Sequence, residues 1–528
     1  MATVLVSDKL APEGLAILEA GEGIEVRNRP GLSPEELLEA VADIDGLVIR
    51  SGTKVTAEVL AAAPKLRVVG RAGIGVDNVD VEAASKRGVV VMNTPGGNNV
   101  TTAEHTVSML LASARHIPQA NASLAAGKWE RSSFVGTEVS GKTLGIVGIG
   151  NIGSIVADRA RGLHMNVIAY DPFITEESAA RMGIDLVALE DLYARADFVS
   201  VHTPLTPETR GLVGAEQFAL MKPSARLVNC ARGGIVDEAA LVEALDAGVI
   251  AGAALDVFES EPPDADSPVT RHPKIVATPH LGASTGEAQL NVAVAVAEQV
   301  RDFVLDGTVR NAVNVPSVSA EVASLLAPYM ELAEKLGSLH AQLSRRVPTE
   351  LRIEYRGEVA TLDCAPVCAA ALKGLLSGVL DAPVNSVNAP FLAKERGIRL
   401  VEVKTDSSSF ANAVRLTFTD GDGSRVVEGA VFGQDIVRLV RFNDFHLEAV
   451  PEGHLLILHN RDVPGVVGRV GSFLAEQQVN IAGLVLGRVG GAGGEAVSFF
   501  NIDSPLEPSQ LDELRGLQDI TGAEMVTL

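Results

Sequence analysis

Thr143-Leu144-Gly145-Ile146-Val147-Gly148-Ile149-Gly150-Asn151-Ile152-Gly153, answered by Asp171 just past the apolar run 166–170, is the stretch on which the fold turns. A glycine triplet alone says little. Here it follows a short apolar run and opens a helical pattern. Gly148 permits the tight turn, Gly150 lets a pyrophosphate reach the backbone, and Gly153 lets helix and strand pack closely. The helix N-terminus offers free N–H groups to phosphates. Asp171 accepts hydrogen bonds from ribose hydroxyls and repels a 2′-phosphate, which favours NAD over NADP. The alternative, a glycine-rich turn that binds nothing, leaves Asp171 unexplained.

The same rhythm runs outward on both sides. Short apolar runs bounded by turn residues occur at 3–7, 46–49, 66–69 and 89–92, then at 143–147, 166–170, 197–201, 226–229, 252–256 and 274–277. Such runs read as buried parallel strands. Helical patterns such as 33–41, 153–163 and 238–247 lie between them, giving two doubly wound α/β units. Helices at 101–113 and 285–305 are the hinges. Residues 1–98 and 286–317 are then a substrate-binding domain and 99–285 an inserted NAD-binding domain; a simple tandem arrangement is the alternative.

The pattern changes after Asn314-Val315-Pro316-Ser317. A helix to about His340 and strand-like runs at 350–355, 413–418 and 424–431 make 318–452 an α+β intervening domain, with Gly421-Asp422-Gly423 as a hairpin turn. From 453 to 528 the order is strand, helix, strand, strand, helix, strand, with a glycine-rich turn at 490–494. This predicts a ferredoxin-like βαββαβ module.

Composition excludes several classes. With 44 Lys and Arg against 67 Asp and Glu, the net charge of −23 over 528 residues repels phosphate backbones, so general nucleic-acid binding is not expected. Three cysteines, Cys230, Cys364 and Cys368, are too few for a disulfide framework and suit a reducing compartment. Cys364 and Cys368 lack a second ligand pair, so no metal site is expected. No uncharged apolar run is long enough for a membrane span, and Asp8 comes too early for a signal peptide. A cytoplasmic protein is expected.

Polar residues follow three strand ends in the nucleotide unit, where ligands of such sheets bind. They are Asn229-Cys230-Ala231-Arg232-Gly233-Gly234, Asp256-Val257-Phe258-Glu259-Ser260-Glu261-Pro262 and Thr278-Pro279-His280-Leu281-Gly282. Oxidising a 2-hydroxy acid needs a base titrating near neutrality, which suits imidazole. Only His280 and His202 lie just past a strand end in this unit. Glu261 is placed to orient His280 and stabilise its protonated form. Arg232 offers a planar fork for the substrate carboxylate.

Gly70-Arg71-Ala72-Gly73-Ile74-Gly75-Val76-Asp77-Asn78, the 148–153 turn, the segments at Cys230 and Phe258, and Pro279-His280-Leu281-Gly282-Ala283-Ser284-Thr285 together resemble the D-isomer-specific 2-hydroxyacid dehydrogenase family. The resemblance is dense over residues 1–317 and looser beyond. Within that family the chain looks like the long form, which carries an intervening domain and a C-terminal ACT domain. The resemblance implies oxidation of D-3-phosphoglycerate to 3-phosphooxypyruvate, the first step of L-serine synthesis. It implies that Arg232 binds substrate, Glu261 assists and His280 is the acid/base. Implied cofactor contacts are Gly148, Gly150, Asn151, Ile152, Gly153, Asp171, Cys230, Ala231, Asp256, Leu281, Gly282 and Ala283.

A phosphorylated substrate needs further cations. Arg50 and Arg71 follow strands of the first unit, and Arg131 lies beyond the lone tryptophan, Trp129; by resemblance Arg131 reaches in from a neighbouring subunit. The turn at Gly73 can hold a carboxylate. In the ACT-like module, Asn460, Asp462 and Asn480 are the expected contacts of a free amino acid, and Pro464 is expected in the first helical turn. The implied effector is L-serine, acting as feedback inhibitor, in a homo-oligomer, a tetramer by resemblance. Arg345, Arg346, Arg438 and Arg441 of the intervening domain read as solvated charge rather than an anion site. Two other readings stay open: a dehydrogenase of another D-2-hydroxy acid, and a non-catalytic NAD-binding corepressor-like protein.

Overall fold

The computed structural model describes residues 1–528 except 317, 319, 345, 381, 382, 406–411 and 422, and the side chain of residue 320. The short apolar runs form parallel sheets because both of their faces are covered by helices. The first sheet contains β1 (Ala2–Val6), β2 (Ile24–Asn28), β3 (Gly46–Ile49), β4 (Val68–Arg71) and β5 (Val90–Asn93), in the order β2-β1-β3-β4-β5. The second contains β6 (Thr143–Val147), β7 (Asn166–Tyr170), β8 (Asp185–Leu186), β9 (Phe198–Val201), β10 (Arg226–Asn229), β11 (Gly252–Leu255) and β12 (Ile275–Ala277), in the order β12-β11-β10-β9-β6-β7-β8. Strand order reverses between β6 and β9, which opens a crevice at the strand ends.

β2 and β8 are strands that the apolar pattern does not announce. Both lie at sheet edges, and β2 is partly exposed along its length, so neither needs a continuous apolar run.

The helix Asn99–Arg115 leaves the first sheet and packs on the second through Ala103, Met109, Leu110 and Ala114. The helix Gly286–Asp306 returns to the first sheet, burying Val292, Val296 and Val300 beside Val4 and Val68. Its approach is so close that a Cβ on Gly70 would lie 2.4 Å from Val300 Cγ2. The second unit is thus inserted in the first.

Past the helix Ala320–Ser344, a mixed sheet takes the order β14-β13-β15-β16-β17-β18. Its strands are β13 (Glu350–Gly357), β14 (Arg399–Thr405), β15 (Asn412–Asp420), β16 (Gly423–Phe432), β17 (Ile436–Phe442) and β18 (Phe445–Ala449). Asp420 pairs with Gly423 at the β15–β16 hairpin, whose Asp422 lies outside the described residues, as do Arg345 and the boundary residue Ser317. Cys364 and Cys368 are buried and free. Asn385 fastens this domain to the first unit by donating from Nδ2 to Gly88 O at 2.9 Å.

The last sheet is antiparallel, β20-β21-β19-β22, from β19 (His454–Arg461), β20 (Ile481–Arg488), β21 (Glu495–Ile502) and β22 (Ile520–Thr527). Its first helix begins at Val466 with Gly465 as cap at φ 92°. Pro464 therefore precedes the helix instead of entering its first turn. Among the described residues no helix is long and apolar enough to cross a membrane.

Candidate active site

The loops at the carboxyl ends of β6, β9, β10 and β12 converge with the turn after β4 and the start of the helix Asn99–Arg115. They enclose a cavity of about 300 Å³ lined by Arg71, Ile74, Asn98, Asn151, Cys230, Arg232 and His280, among others. The loops after β10 and β11 lock together where side chains are missing: a Cβ on Gly233 would lie 1.8 Å from Phe258 O.

His280 stands at the lip of this cavity. Its Nδ1 lies 2.6 Å from Glu261 Oε2, and its side chain is 44% exposed, open enough to meet a ligand. Glu261 Oε1 accepts from Phe258 N at 3.1 Å. Burial would raise the Glu261 pKa, but the bonds from His280 and Phe258 outweigh it and hold the carboxylate below its ordinary value. A charged Glu261 on Nδ1 fixes the tautomer and leaves Nε2 for a ligand. The other strand-end histidine, His202, also lines the cavity; its Nε2 is 2.9 Å from Ser200 Oγ, and burial pushes its pKa down to about 4.

Arg232 is braced from behind. The buried Asn229 donates to Arg232 O at 2.9 Å and accepts from Ala231 N at 3.0 Å. The guanidinium donates from Nε to Asp77 Oδ2 at 2.8 Å and from Nη1 to Ala231 O at 2.7 Å. Arg71 curls over Gly73, where a Cβ would sit 1.6 Å from its Nη1; Gly73 holds φ 141° and donates to Thr94 Oγ1 at 2.7 Å. Burial, reinforced by Arg232, lowers the Arg71 pKa to about 10. Two guanidiniums facing one cavity are a receptor for an anion with two charged ends.

Asn151, Ile152, Cys230, Ala231, Gly282 and Ala283 line the cavity. Asp171 accepts from Ile149 N and Phe173 N, each at 2.8 Å, so it secures the glycine turn and keeps further lone pairs outward. The Cys230 thiol is buried and pushed up to about 12, chiefly by desolvation, so it remains neutral. Asp256 is fully buried and outside the cavity wall. Its carboxylate is taken up by Thr278 Oγ1 at 2.6 Å, Leu281 N at 2.7 Å and Gly282 N at 2.8 Å. It secures the loop on which Leu281 and Gly282 lie.

Not every expected residue joins this cavity. Arg50 lines two neighbouring pockets, one with Asp8, Lys9 and Gly31. Arg131 is exposed on the 3₁₀ turn Arg131–Phe134, away from the cavity of its own chain. Asn460 is buried, 3.1 Å from Ser498 Oγ, while Asp462 accepts from Arg488 Nη1 at 3.1 Å and Asn480 donates to Asp503 Oδ2 at 2.9 Å. Arg488 ends β20 and Asn480 precedes it, so Asp462 and Asn480 sit at opposite ends of that strand. One chain alone does not bring the three together. In the intervening domain, Arg346 lines a cavity with Arg425, whereas Arg441 on β17 donates to Asn443 O at 2.6 Å.

The glycine turn and the cavity beside it offer space and polar groups suited to a dinucleotide and a small acid. A Cβ on Gly150 would meet nothing within 4 Å, which leaves open space at the start of the helix Asn151–Gly162. Four buried polar atoms of the cavity wall lack a partner: Arg71 Nε, Asn98 Oδ1, Asn99 Oδ1 and Thr203 Oγ1. Such atoms are costly unless a ligand satisfies them. Sequence reasoning passed over Asn98 and Asn99, whose only signal is their place at the hinge.

Comparison with known proteins identifies the family. Residues 107–282 match the D-isomer specific 2-hydroxyacid dehydrogenase NAD binding domain, 325–443 the D-3-phosphoglycerate dehydrogenase intervening domain and 454–518 the ACT domain. The chain is 44% identical to the D-3-phosphoglycerate dehydrogenase of Bacillus subtilis, covering 100% of both chains. It is 44% identical to that of Synechocystis, covering 100% of this chain and 95% of the relative. Among solved structures, the TT0316 protein from Thermus thermophilus superposes with a TM-score of 0.55 at 37% identity, covering 59% of this chain and 99% of that one.

Proposed function

The chain belongs to the D-3-phosphoglycerate dehydrogenase family, and on that premise we propose that Arg232, Glu261 and His280 carry the NAD-dependent oxidation of D-3-phosphoglycerate, with L-serine as effector. The observation that supports the catalytic reading most is that His280, held by Glu261 at 2.6 Å, lines the same cavity as Arg232.

NAD, when bound along Gly148–Gly153 and Asp171, supplies the acceptor for the hydride that leaves C2. The substrate hydroxyl gives its proton to His280 Nε2 as the carbonyl forms, and Glu261 stabilises the resulting imidazolium. Arg232 holds the carboxylate and steadies the developing carbonyl. Arg71 faces the other charged end, and the Gly73 turn orders the backbone between them. Arg50, in the neighbouring pockets, adds positive charge to the same unit.

The effector and assembly readings rest on surfaces. β20 is the edge of its sheet and exposes Ile481, Leu484 and Leu486. Antiparallel pairing of two such edges sets Asn480 of one copy beside Asp462 of the next, which would complete an amino-acid site that one chain leaves divided. The arm from Ile117 to Val135 exposes Ile117, Leu124, Trp129 and Val135, an apolar face suited to a second copy, with Arg131 carried toward that copy's cavity. Two such faces generate a homotetramer. Three buried free thiols are in keeping with the cytoplasm.

The test is NADH absorbance with purified protein, NAD and a panel of D-2-hydroxy acids, with and without L-serine. Turnover of D-3-phosphoglycerate, suppressed by serine and desensitised by Asp462→Ala, is expected. Turnover without serine sensitivity removes the effector, and NAD binding without turnover of any acid removes the enzyme reading.

A further inference from the structure

A second carboxylate–imidazole pair lies behind the first. His105, two turns into the hinge helix Asn99–Arg115, sets Nε2 3.1 Å from Asp256 Oδ1 and 3.2 Å from Thr278 Oγ1. Its side chain is 19% exposed, and that of Asp256 is 1% exposed. Neither the base, the acid clamp nor the dinucleotide turn uses this histidine.

Asp256 is the hub of the loop that bears His280. Its carboxylate takes the amides of Leu281 and Gly282, and its carbonyl takes the amide of His280 at 2.9 Å. Thr102, one turn before His105, donates to Gly282 O at 2.9 Å. The loop needs this grip because His280 holds φ 53°, a left-handed conformation that a residue with a Cβ keeps only when its surroundings enforce it. A buried carboxylate in turn needs donors on every side. Burial would raise the Asp256 pKa, yet His105, Thr278 and Leu281 together bring it below its ordinary value.

We propose that His105 positions His280 by bracing Asp256, the carboxylate that clamps the 280–282 loop. The hinge helix then does two tasks: Asn98 and Asn99 at its start line the cavity, and Thr102 and His105 on its next turns hold the base at the cavity's lip. Loss of the brace lets the imidazole drift, and an error of about 1 Å in a reacting group costs on the order of 10²-fold in rate.

This inference rests on His280 as the base. The experiment compares steady-state kinetics and NADH binding of the full chain with those of His105→Phe, His105→Gln and His280→Ala. Phe keeps the ring volume and loses both nitrogens; Gln restores a donor toward Asp256. Expected for His105→Phe is a kcat lowered roughly 10- to 100-fold, as for other lost supports of a reacting ligand, with KM and NADH affinity within about threefold. His105→Gln is expected to recover most of that loss. A kcat for His105→Phe within about threefold of the parent overturns the proposal. So does a Gln variant no better than Phe with an equally lowered melting temperature, which marks His105 as structural filling. Should His105→Phe not fold, Thr102→Val and Thr278→Val each remove one bond of the clamp, and an unchanged kcat in both overturns it as well. An inert His280→Ala beside a normal His105→Phe sinks the bracing alone, whereas turnover by His280→Ala sinks the base.

Discussion

Arg232 and Asp77 meet across the cleft, Nε to Oδ2 at 2.8 Å, between side chains 155 positions apart. The pair joins the inserted unit to the unit that encloses it. Asp77 is 60% exposed, so the bond adds little to stability, on the scale of about 0–1 kcal/mol for surface pairs. Its effect is directional. With Nε on Asp77 and Nη1 on Ala231 O, Nη2 is left beside Gly75, 1.9 Å from where a Cβ would stand there.

Arg232→Lys tests that geometry. An ammonium cannot hold Asp77, Ala231 O and a carboxylate in one plane. One charge-assisted bond is worth about 1.5–3 kcal/mol, so kcat/KM for D-3-phosphoglycerate is expected to fall roughly 10- to 100-fold. NAD affinity is expected to stay within about threefold, because the glycine turn is untouched. A kcat/KM within about threefold of the parent would show that charge alone, without the fork, suffices.

Two glycines of one turn are expected to fail in opposite ways. Gly153 lies against the backbone, where a Cβ would come 2.1 Å from Gly148 O, whereas Gly150 faces open space at an ordinary φ of −70°. Gly153→Ala therefore strains the fold and lowers the melting temperature. Gly150→Ala leaves melting within about 2 °C, a shift below 1 kcal/mol for a domain of this size, while NAD affinity drops at least tenfold because the methyl occupies the pyrophosphate's space. Melting curves and NADH fluorescence titration read both. Equal melting losses in the two variants would mean that Gly150 is also a packing glycine.

What could be read from the sequence follows the range of the interactions. The glycine turn, Asp171 and the polar residues after β10, β11 and β12 are local patterns, each fixed by a few neighbours along the chain. His105 escaped because its partners, Asp256 and Thr278, lie far away in sequence and meet it only after the hinge helix packs on β10 and β11. β2 escaped because an edge strand can be half polar. The three effector candidates look adjacent to one module's sheet, but the strand that separates Asp462 from Asn480 places them at its two ends.

Acid lability is expected to come in part from Asp256. Its pKa in the folded chain is lowered: burial opposes this, and the bonds from His105, Thr278 and Leu281 prevail. A carboxylate so shifted adds stability that is present above its unfolded value of about 4 and is lost as pH falls through the lower folded value. Asp256→Asn cannot ionise and turns an N–H toward loop amides that need an acceptor. The variant should therefore melt below the parent near pH 7, and the gap should narrow as pH falls below about 4 toward the parent's lowered folded value. Melting temperatures of the two proteins measured across that range decide the matter. A gap that stays constant with pH would mean that Asp256 acts through shape and not through its charge.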